Sequence, residues 1–465
     1  MTKHYDLVVI GSGPAGEKGA VQAAYFGKSV ALVEKAEVLG GAAANTGTLP
    51  SKTLRETALH LTGFRHRGLY GIDVRLRDKV SAQDFLYRAR RVAESERERV
   101  RRNLERHGVE LLRGRAAFVD PHRLEITRPG AETLAIGGEV ILIATGSRPH
   151  RPAELPFEDA RVFDSDTILG IGTLPSSLVI AGGGVIGSEY ACMFAALDLE
   201  VSLVEGRSRL LHFMDGQISE ALARSMQDLG IKLYLEDSIE RIEPGDLLRA
   251  RLASGTVITA DAVLAAVGRA GNTDGLGLER VGIETAGRGA VKVDAHYQTS
   301  LPHVYAVGDV IGFPALASTS MEQARVAMVH AFDLRYKTAL APILPYGVYT
   351  IPECSMAGET EEGLRGRGAD YVAGVARFAD NARGEIIGEE SGFLKLLFEG
   401  ADMKLVGVHV IGEQASELVH VGLTALLTGA TAELFIQTCF NYPTLSDAYK
   451  YATYDALGAR ARRPA

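Results

Sequence analysis

Short apolar runs rich in β-branched residues recur along this chain, and most of them reach a glycine within two residues. The first is Tyr5-Asp6-Leu7-Val8-Val9-Ile10. Ser29 to Val33, Ile141 to Ala144, Ser177 to Ala181, Val201 to Val204, Ala262 to Ala266 and Val304 to Val307 follow. Runs that are apolar throughout, without polar alternation, predict strands covered on both faces, as in parallel sheets. Stretches with helical spacing follow Gly16, to about Tyr25, and Gly187. Two strand–helix–strand units are therefore predicted, over 5–34 and 177–205. Asp84 to Arg106 has another pattern, with Phe85, Ala89, Val92, Val100 and Leu104 at helical spacing. Arg88, Arg90, Arg91, Arg97, Arg99, Arg101, Arg102 and Arg106 alternate there with Glu94, Glu96, Glu98 and Glu105. That predicts an amphipathic helix with ion pairs on its wet face rather than a nucleic-acid patch. The Arg460, Arg462, Arg463 tail is expected to fray.

The turns of the two units carry the candidate chemistry. The first strand runs straight into Gly11-Ser12-Gly13-Pro14-Ala15-Gly16, and the second ends at Glu34, 23 residues beyond Gly11. The later unit repeats this as Gly182-Gly183-Gly184-Val185-Ile186-Gly187 with Glu205, again 23 residues on. In this arrangement glycines let the backbone approach a pyrophosphate at a helix N-terminus, and the acid accepts from ribose hydroxyls. Two dinucleotide sites in one chain suggest a flavin and a nicotinamide, a pair that exchanges hydride. Thr145-Gly146 after Ile141 to Ala144, Gly268 after Ala262 to Val267, and Gly308-Asp309 after Val304 to Val307 are further strand-end turns. Asp309 is suited to a sugar-like hydroxyl chain.

Composition narrows the classes. At 465 residues two to four domains are expected. A net charge of −8 argues against nucleic acid or an anionic membrane as the main partner. No segment is apolar for long enough to span a bilayer, and the N-terminal run is too short for a signal peptide. Cys192, Cys354 and Cys439 match no metal or redox spacing, so no metal site is expected and the thiols read as incidental. A soluble, cytoplasmic chain is the expectation.

On these motifs the chain resembles the flavoprotein disulfide reductases, the group of lipoamide dehydrogenase and glutathione reductase, over nearly its whole length. The resemblance implies an α/β fold: two Rossmann-like dinucleotide-binding domains, for FAD and NAD(P), plus a C-terminal α+β dimerisation domain. The implied boundaries are 1–150 and 271–337 for the FAD-binding parts, 151–270 for the NAD(P) domain and 338–465 for dimerisation. It puts Gly11, Gly13, Gly16, Glu34, Gly41, Thr145, Gly146 and Asp309 around FAD. Gly182, Gly184, Gly187, Glu205 and Gly268 fall around the nicotinamide nucleotide, with Val185 over the nicotinamide pocket. It also implies a homodimer, with higher assembly open.

One segment departs from the family. Gly40-Gly41-Ala42-Ala43-Ala44-Asn45-Thr46-Gly47-Thr48-Leu49-Pro50-Ser51-Lys52 resembles the frame of the redox disulfide, yet Ala43 and Thr48 stand where the cysteines belong. Neither forms a thiolate or a disulfide. In Phe440-Asn441-Tyr442-Pro443-Thr444, Tyr442 replaces the family's proton-shuttling histidine, and Asp447 the acid that orients it. A phenol of pKa about 10 is a poor base at neutral pH. What the family motif leaves is Lys52, implied to lie near the flavin, and its implied partner Glu189. Together with Asp309-Val310-Ile311-Gly312-Phe313-Pro314, these substitutions draw the chain toward a dithiol-free branch of the family. The branch implies ping-pong hydride transfer between NADPH and NAD⁺, with FAD, NAD(H) and NADP(H) in turn. Glu205 suits a free 2′-hydroxyl, whereas Arg207 and Arg209 suit a 2′-phosphate if Glu205 swings away. Poor NADP(H) binding would favour the alternative, an NAD(P)H:quinone or acceptor oxidoreductase.

Overall fold

The structure is a computed structural model that describes residues 3–63, 69, 80–128, 130 and 132–463. Its contacts divide the chain into two compact units. The first comprises 1–53, 86–150 and 268–340; the second comprises 54–85, 151–267 and 341–465.

The first unit is built on the predicted parallel strands. Lys3–Ile10 lies between Val30–Glu34 and Leu134–Ile143, with Val8 opposite both Ala31 and Ile141. Val304–Ala306 adds parallel to Leu134–Ile143, and Glu110–Arg113 to Val30–Glu34. Successive residues of the first strand enter different cores. Val8 and Ile10 pack with Val33, Ile141 and Ile143, while Leu7 and Val9 pack with Leu32, Leu142, Ala20 and Ala324. A strand alternates sides with a period of two, so burial on both faces requires an uninterrupted apolar run. The helices Pro14–Tyr25 and Ala317–Ala331 cover the second of these faces. Gly19 lets the first helix come close: a Cβ there would lie 2.4 Å from Leu142 Cδ2.

The second unit repeats the arrangement. Its parallel sheet runs Lys232–Leu235, Glu200–Glu205, Ser177–Ala181, Ala262–Ala265, Val162–Asp164. The helix Val185–Ala196 follows the second fingerprint. From Tyr346 the same unit forms an antiparallel sheet ordered Tyr346–Val348, Glu353–Gly358, Leu405–Gly412, Phe393–Glu399, Tyr371–Arg377. The helices Ala415–Leu427 and Ala448–Ala461 share its core. The expected α/β class with a C-terminal α+β portion is the one observed. The arginine-rich segment is the helix Ala82–Arg106, which buries Phe85, Ala89, Val100 and Leu104 and pairs Arg91 with Glu94, Arg99 with Glu96 and Arg101 with Glu98. Among the described residues no helix is long and apolar enough to cross a membrane, and no cluster of His, Cys, Asp and Glu suits a metal ion.

Candidate functional site

In both parallel sheets the fingerprint glycines follow the carboxyl end of a strand, where open α/β sheets bind their ligands. Gly11 has φ 104°, and a Cβ there would lie 2.5 Å from Ala144 O. At Gly16 a Cβ would be 1.9 Å from Gly11 O, so the helix can start this close only without a side chain. The second fingerprint has the same geometry. Gly182 has φ 102° and its Cβ would meet Ala266 O at 2.5 Å; that of Gly187 would meet Gly182 O at 1.8 Å. Gly13 and Gly184 are the N-cap residues of the two helices, both with extended backbone. Neither would bring a Cβ within 3.5 Å of a neighbour, so these two spare the space in front of the helix rather than the packing behind it.

The two acids are equivalent in detail. Glu34 Oε2 accepts from Ser12 N (2.9 Å) and Ser12 Oγ (2.7 Å), and its Oε1 from Ala36 N (2.8 Å). Glu205 Oε2 accepts from Gly183 N (2.6 Å), and its Oε1 from Arg207 N (2.9 Å). Both carboxylates are buried. Each is thus fixed by two backbone N–H groups, one inside its fingerprint and one just past its own strand.

Around the first fingerprint the structure gathers most of the remaining expected residues. Gly41, φ 56°, packs on Gly13, where a Cβ would approach Gly13 Cα to 2.8 Å. Thr145 Oγ1 is buried and has no hydrogen-bond partner. Asn272 holds this turn, donating Nδ2 to Thr145 O (3.0 Å) and its backbone N–H to Gly146 O (2.9 Å). Asp309 Oδ2 accepts from Ser147 Oγ (2.8 Å), and Ser147 Oγ in turn accepts from Arg269 Nε (2.7 Å). Asn272 and Ser147 do not stand out in the sequence, where their sole signal is lying beside the Thr145-Gly146 and Gly268 turns; Arg269 is marked there only as the residue that follows Gly268. Gly268, φ 110°, belongs to this first unit, where a Cβ would lie 2.4 Å from Arg288 Nη1.

The cysteine-free frame keeps its shape through Asn45. Its Nδ2 donates to Leu39 O (2.9 Å) and Gly41 O (2.8 Å), and its Oδ1 accepts from Arg97 Nε (2.6 Å). Ala43 lies in the short helix Gly41–Asn45, and Thr48 opens the helix Thr48–Thr62, which carries Lys52. Lys52 Nζ donates to Ser51 Oγ at 3.3 Å. Glu189 is buried in the second unit, where its Oε1 accepts from Tyr349 N (3.0 Å). Lys52 and Glu189 belong to different units, so their pairing rests on the resemblance alone. Tyr442 is 78 % exposed.

Residues 5–331 match the family model described as pyridine nucleotide-disulphide oxidoreductase, and 344–453 match that family's dimerisation domain. The chain belongs to this family. Within it, the chain is 46 % identical to a soluble pyridine nucleotide transhydrogenase of Mycobacterium bovis over 98 % of this chain and 97 % of the other. A protein of the same description from Chromohalobacter salexigens is 41 % identical, with 98 % of each chain covered. Among solved structures, the HOCl-induced flavoprotein disulfide reductase RclA of Escherichia coli aligns with a TM-score of 0.87 at 27 % identity, covering 97 % of this chain and 99 % of that one. LpdA of Mycobacterium tuberculosis aligns with a TM-score of 0.89 at 25 % identity, covering 97 % and 99 %.

Proposed function

We propose that this chain is an FAD-dependent enzyme that transfers hydride between NADPH and NAD⁺ without a redox disulfide. The observation that carries the reading is the pair of equivalent fingerprints, one on each parallel sheet, in a chain whose disulfide frame holds no sulfur. The relatives described as soluble pyridine nucleotide transhydrogenases support it over the full length of the chain. The domain boundaries given above, a cytoplasmic location and a homodimer built through 344–453 are part of the same proposal.

The residues of the first unit fit a flavin dinucleotide. The unpartnered Thr145 Oγ1, the side-chain-free floor of Gly13 and Gly41, and the fixed acceptor Glu34 are what a pyrophosphate and a ribose require. Gly11, Gly16, Gly146 and Asp309 complete that site. FAD, when bound, supplies a two-electron carrier that holds the hydride between the two nucleotides. Lys52 is assigned the positive charge that meets the negative charge developing on reduction; Glu189 is its partner by the family resemblance alone.

Gly182, Gly184, Gly187, Glu205, Arg207 and Gly268 are assigned to the nicotinamide nucleotide. One such fingerprint must serve both NADPH and NAD⁺, so one has to leave before the other enters, a ping-pong order. Ala43 and Thr48 close the usual exit through sulfur, because neither side chain can accept electrons.

The test uses the purified, flavin-loaded protein, NADPH, and an NAD⁺ analogue whose reduced form absorbs at a shifted wavelength. Rapid reduction of the analogue is expected. No transfer, together with fast NADH-driven quinone reduction, would replace this reading with an NAD(P)H:acceptor oxidoreductase. The anchored Glu205 favours NAD(H), and it is the observation that keeps that second reading in view.

A further inference from the structure

The loop after Glu205 carries two arginines, and the fold treats them differently. The Arg207 side chain is 58 % exposed, with Nη1 3.8 Å from Glu205 Oε1. Arg209 is already committed: Nη1 donates to Glu362 Oε1 at 3.0 Å and Nη2 to His212 O at 3.1 Å. Glu362 comes from the dimerisation segment, on the short helix Glu361–Gly366. Its Oε1 also accepts from Gly216 N (3.0 Å), and its Oε2 is buried without a hydrogen-bond partner. The neighbouring Glu361 accepts from the buried Lys395 at 2.5 Å, and its own backbone N–H donates to Asp215 Oδ2 at 3.1 Å. Glu362 is therefore held in place by its own bond from Gly216 N and by the anchoring of Glu361 beside it, and it keeps Arg209 there.

Glu205 is not free to move aside for a phosphate. Swinging away would strand the buried N–H of Gly183 and remove the acceptor of the Arg207 N–H, and a buried donor without an acceptor is unfavourable. A 2′-phosphate must then be met with Glu205 in place, and cations decide the outcome.

We propose that Glu362 is a specificity-determining residue: by holding Arg209 it withholds a second guanidinium from the 2′-phosphate of NADP(H) and leaves Arg207 to meet it alone. The inference rests on the transhydrogenase reading for its purpose. One pocket must take up NADPH, release NADP⁺ and then admit NAD⁺. Two arginines on the phosphate would hold NADP⁺ and block that exchange, whereas one arginine opposed by Glu205 keeps the two nucleotides comparable. Glu362 acts through Arg209 and is a positioning residue.

The test measures binding of NADP⁺ and NAD⁺ to the oxidised, flavin-loaded protein by titration calorimetry, without turnover. Glu362→Gln keeps an acceptor for Gly216 N–H but removes the charge that holds Arg209. It is expected to tighten NADP⁺ about three- to tenfold and to change NAD⁺ less than about twofold. Adding Arg209→Ala to that variant should cancel the gain, while Arg207→Ala in the parent chain should weaken NADP⁺ alone. Unchanged NADP⁺ binding in Glu362→Gln, or an equal shift for both nucleotides, would overturn the proposal. So would Arg209→Ala weakening NADP⁺ as much as Arg207→Ala, because Arg209 would then already touch the phosphate. Binding is read apart from catalysis, so a chain that shows these shifts but fails to transfer hydride would sink the transhydrogenase reading and leave this inference standing.

Discussion

A methyl group on Gly16 would reach within 1.9 Å of a carbonyl oxygen in its own turn, and one on Gly187 within 1.8 Å of the equivalent oxygen. Neither oxygen can retreat, because each belongs to the residue that makes the turn. Overpacking of this kind costs about 1–3 kcal/mol even where side chains can adjust, and here backbone must move. The two substitutions should nevertheless separate by function. Gly16→Ala is expected to purify without the visible flavin absorbance. Gly187→Ala should keep the flavin and bind NAD⁺ and NADP⁺ at least about tenfold more weakly in a calorimetric titration. If Gly187→Ala also lost its flavin, the division of labour between the fingerprints would be wrong. These positions were legible in the sequence because their constraint is local: a backbone turn that only glycine fits leaves a fixed spacing. The commitment of Arg209 was not legible, since Glu362 stands 153 residues away and nothing in its own neighbourhood marks it.

At the level of elements, the parallel strands could be read because burial on both faces leaves an unbroken apolar run. The antiparallel sheet of 346–412 was placed only by resemblance, and the strand Phe393–Glu399 shows why. Its sequence FLKLLFE puts a lysine inside an apolar run, yet Lys395 is fully buried. Lys395 lies directly opposite His409 on the next strand, and its Nζ donates to Asp215 Oδ1 (2.8 Å) and Glu361 Oε2 (2.5 Å). Asp215 also caps the helix Gly216–Asp228 by accepting from Gln217 N. A polar stripe that looks outward in sequence is thus turned inward by acids from two other elements. His409 makes this element sensitive to pH. Its Nε2 is 2.8 Å from Glu359 O, and its Nδ1 is buried without a partner. Burial pushes the imidazole below its ordinary value of 6.5, reinforced by Lys395 and opposed by Asp215 and Glu362. Because the folded value is depressed, His409 destabilises nothing above 6.5. Below it the unfolded chain takes up a proton that the folded chain resists, so stability falls with pH. The slope from this one group is at most about 1.4 kcal/mol per pH unit. Denaturant unfolding between pH 7.5 and 5.5 should show that loss, and His409→Gln, which keeps a donor for Glu359 O, should flatten it. An equal slope in both proteins would place the acid sensitivity elsewhere.

For the whole molecule, the decisive property is where electrons can go, and the thiols decide it. A disulfide reductase depends on an accessible, low-pKa cysteine, which is what makes such enzymes vulnerable to alkylation. Here Cys192 and Cys354 are buried, and burial pushes each thiol up to about 12. Cys192 Sγ lies 3.8 Å from Ile351 O, and Thr350 Oγ1 lies 3.7 Å from Cys354 Sγ; neither thiol is within reach of solvent. Cys439 is the one exposed cysteine, and it stands near the end of the dimerisation segment, remote in sequence from both fingerprints. The reduced enzyme, incubated with NADPH and excess N-ethylmaleimide at neutral pH, should therefore keep its hydride-transfer rate. At most one equivalent of reagent per chain should be incorporated, at Cys439, as read by mass spectrometry of the peptides. Prior reduction matters to the design, since it is the reduced state that exposes the reactive thiol in a dithiol enzyme. Inactivation that appears only after NADPH treatment, with label on Cys192 or Cys354, would mean that one of these buried thiols joins the electron path. That result would undo the reading of Ala43 and Thr48 as the closed exit through sulfur.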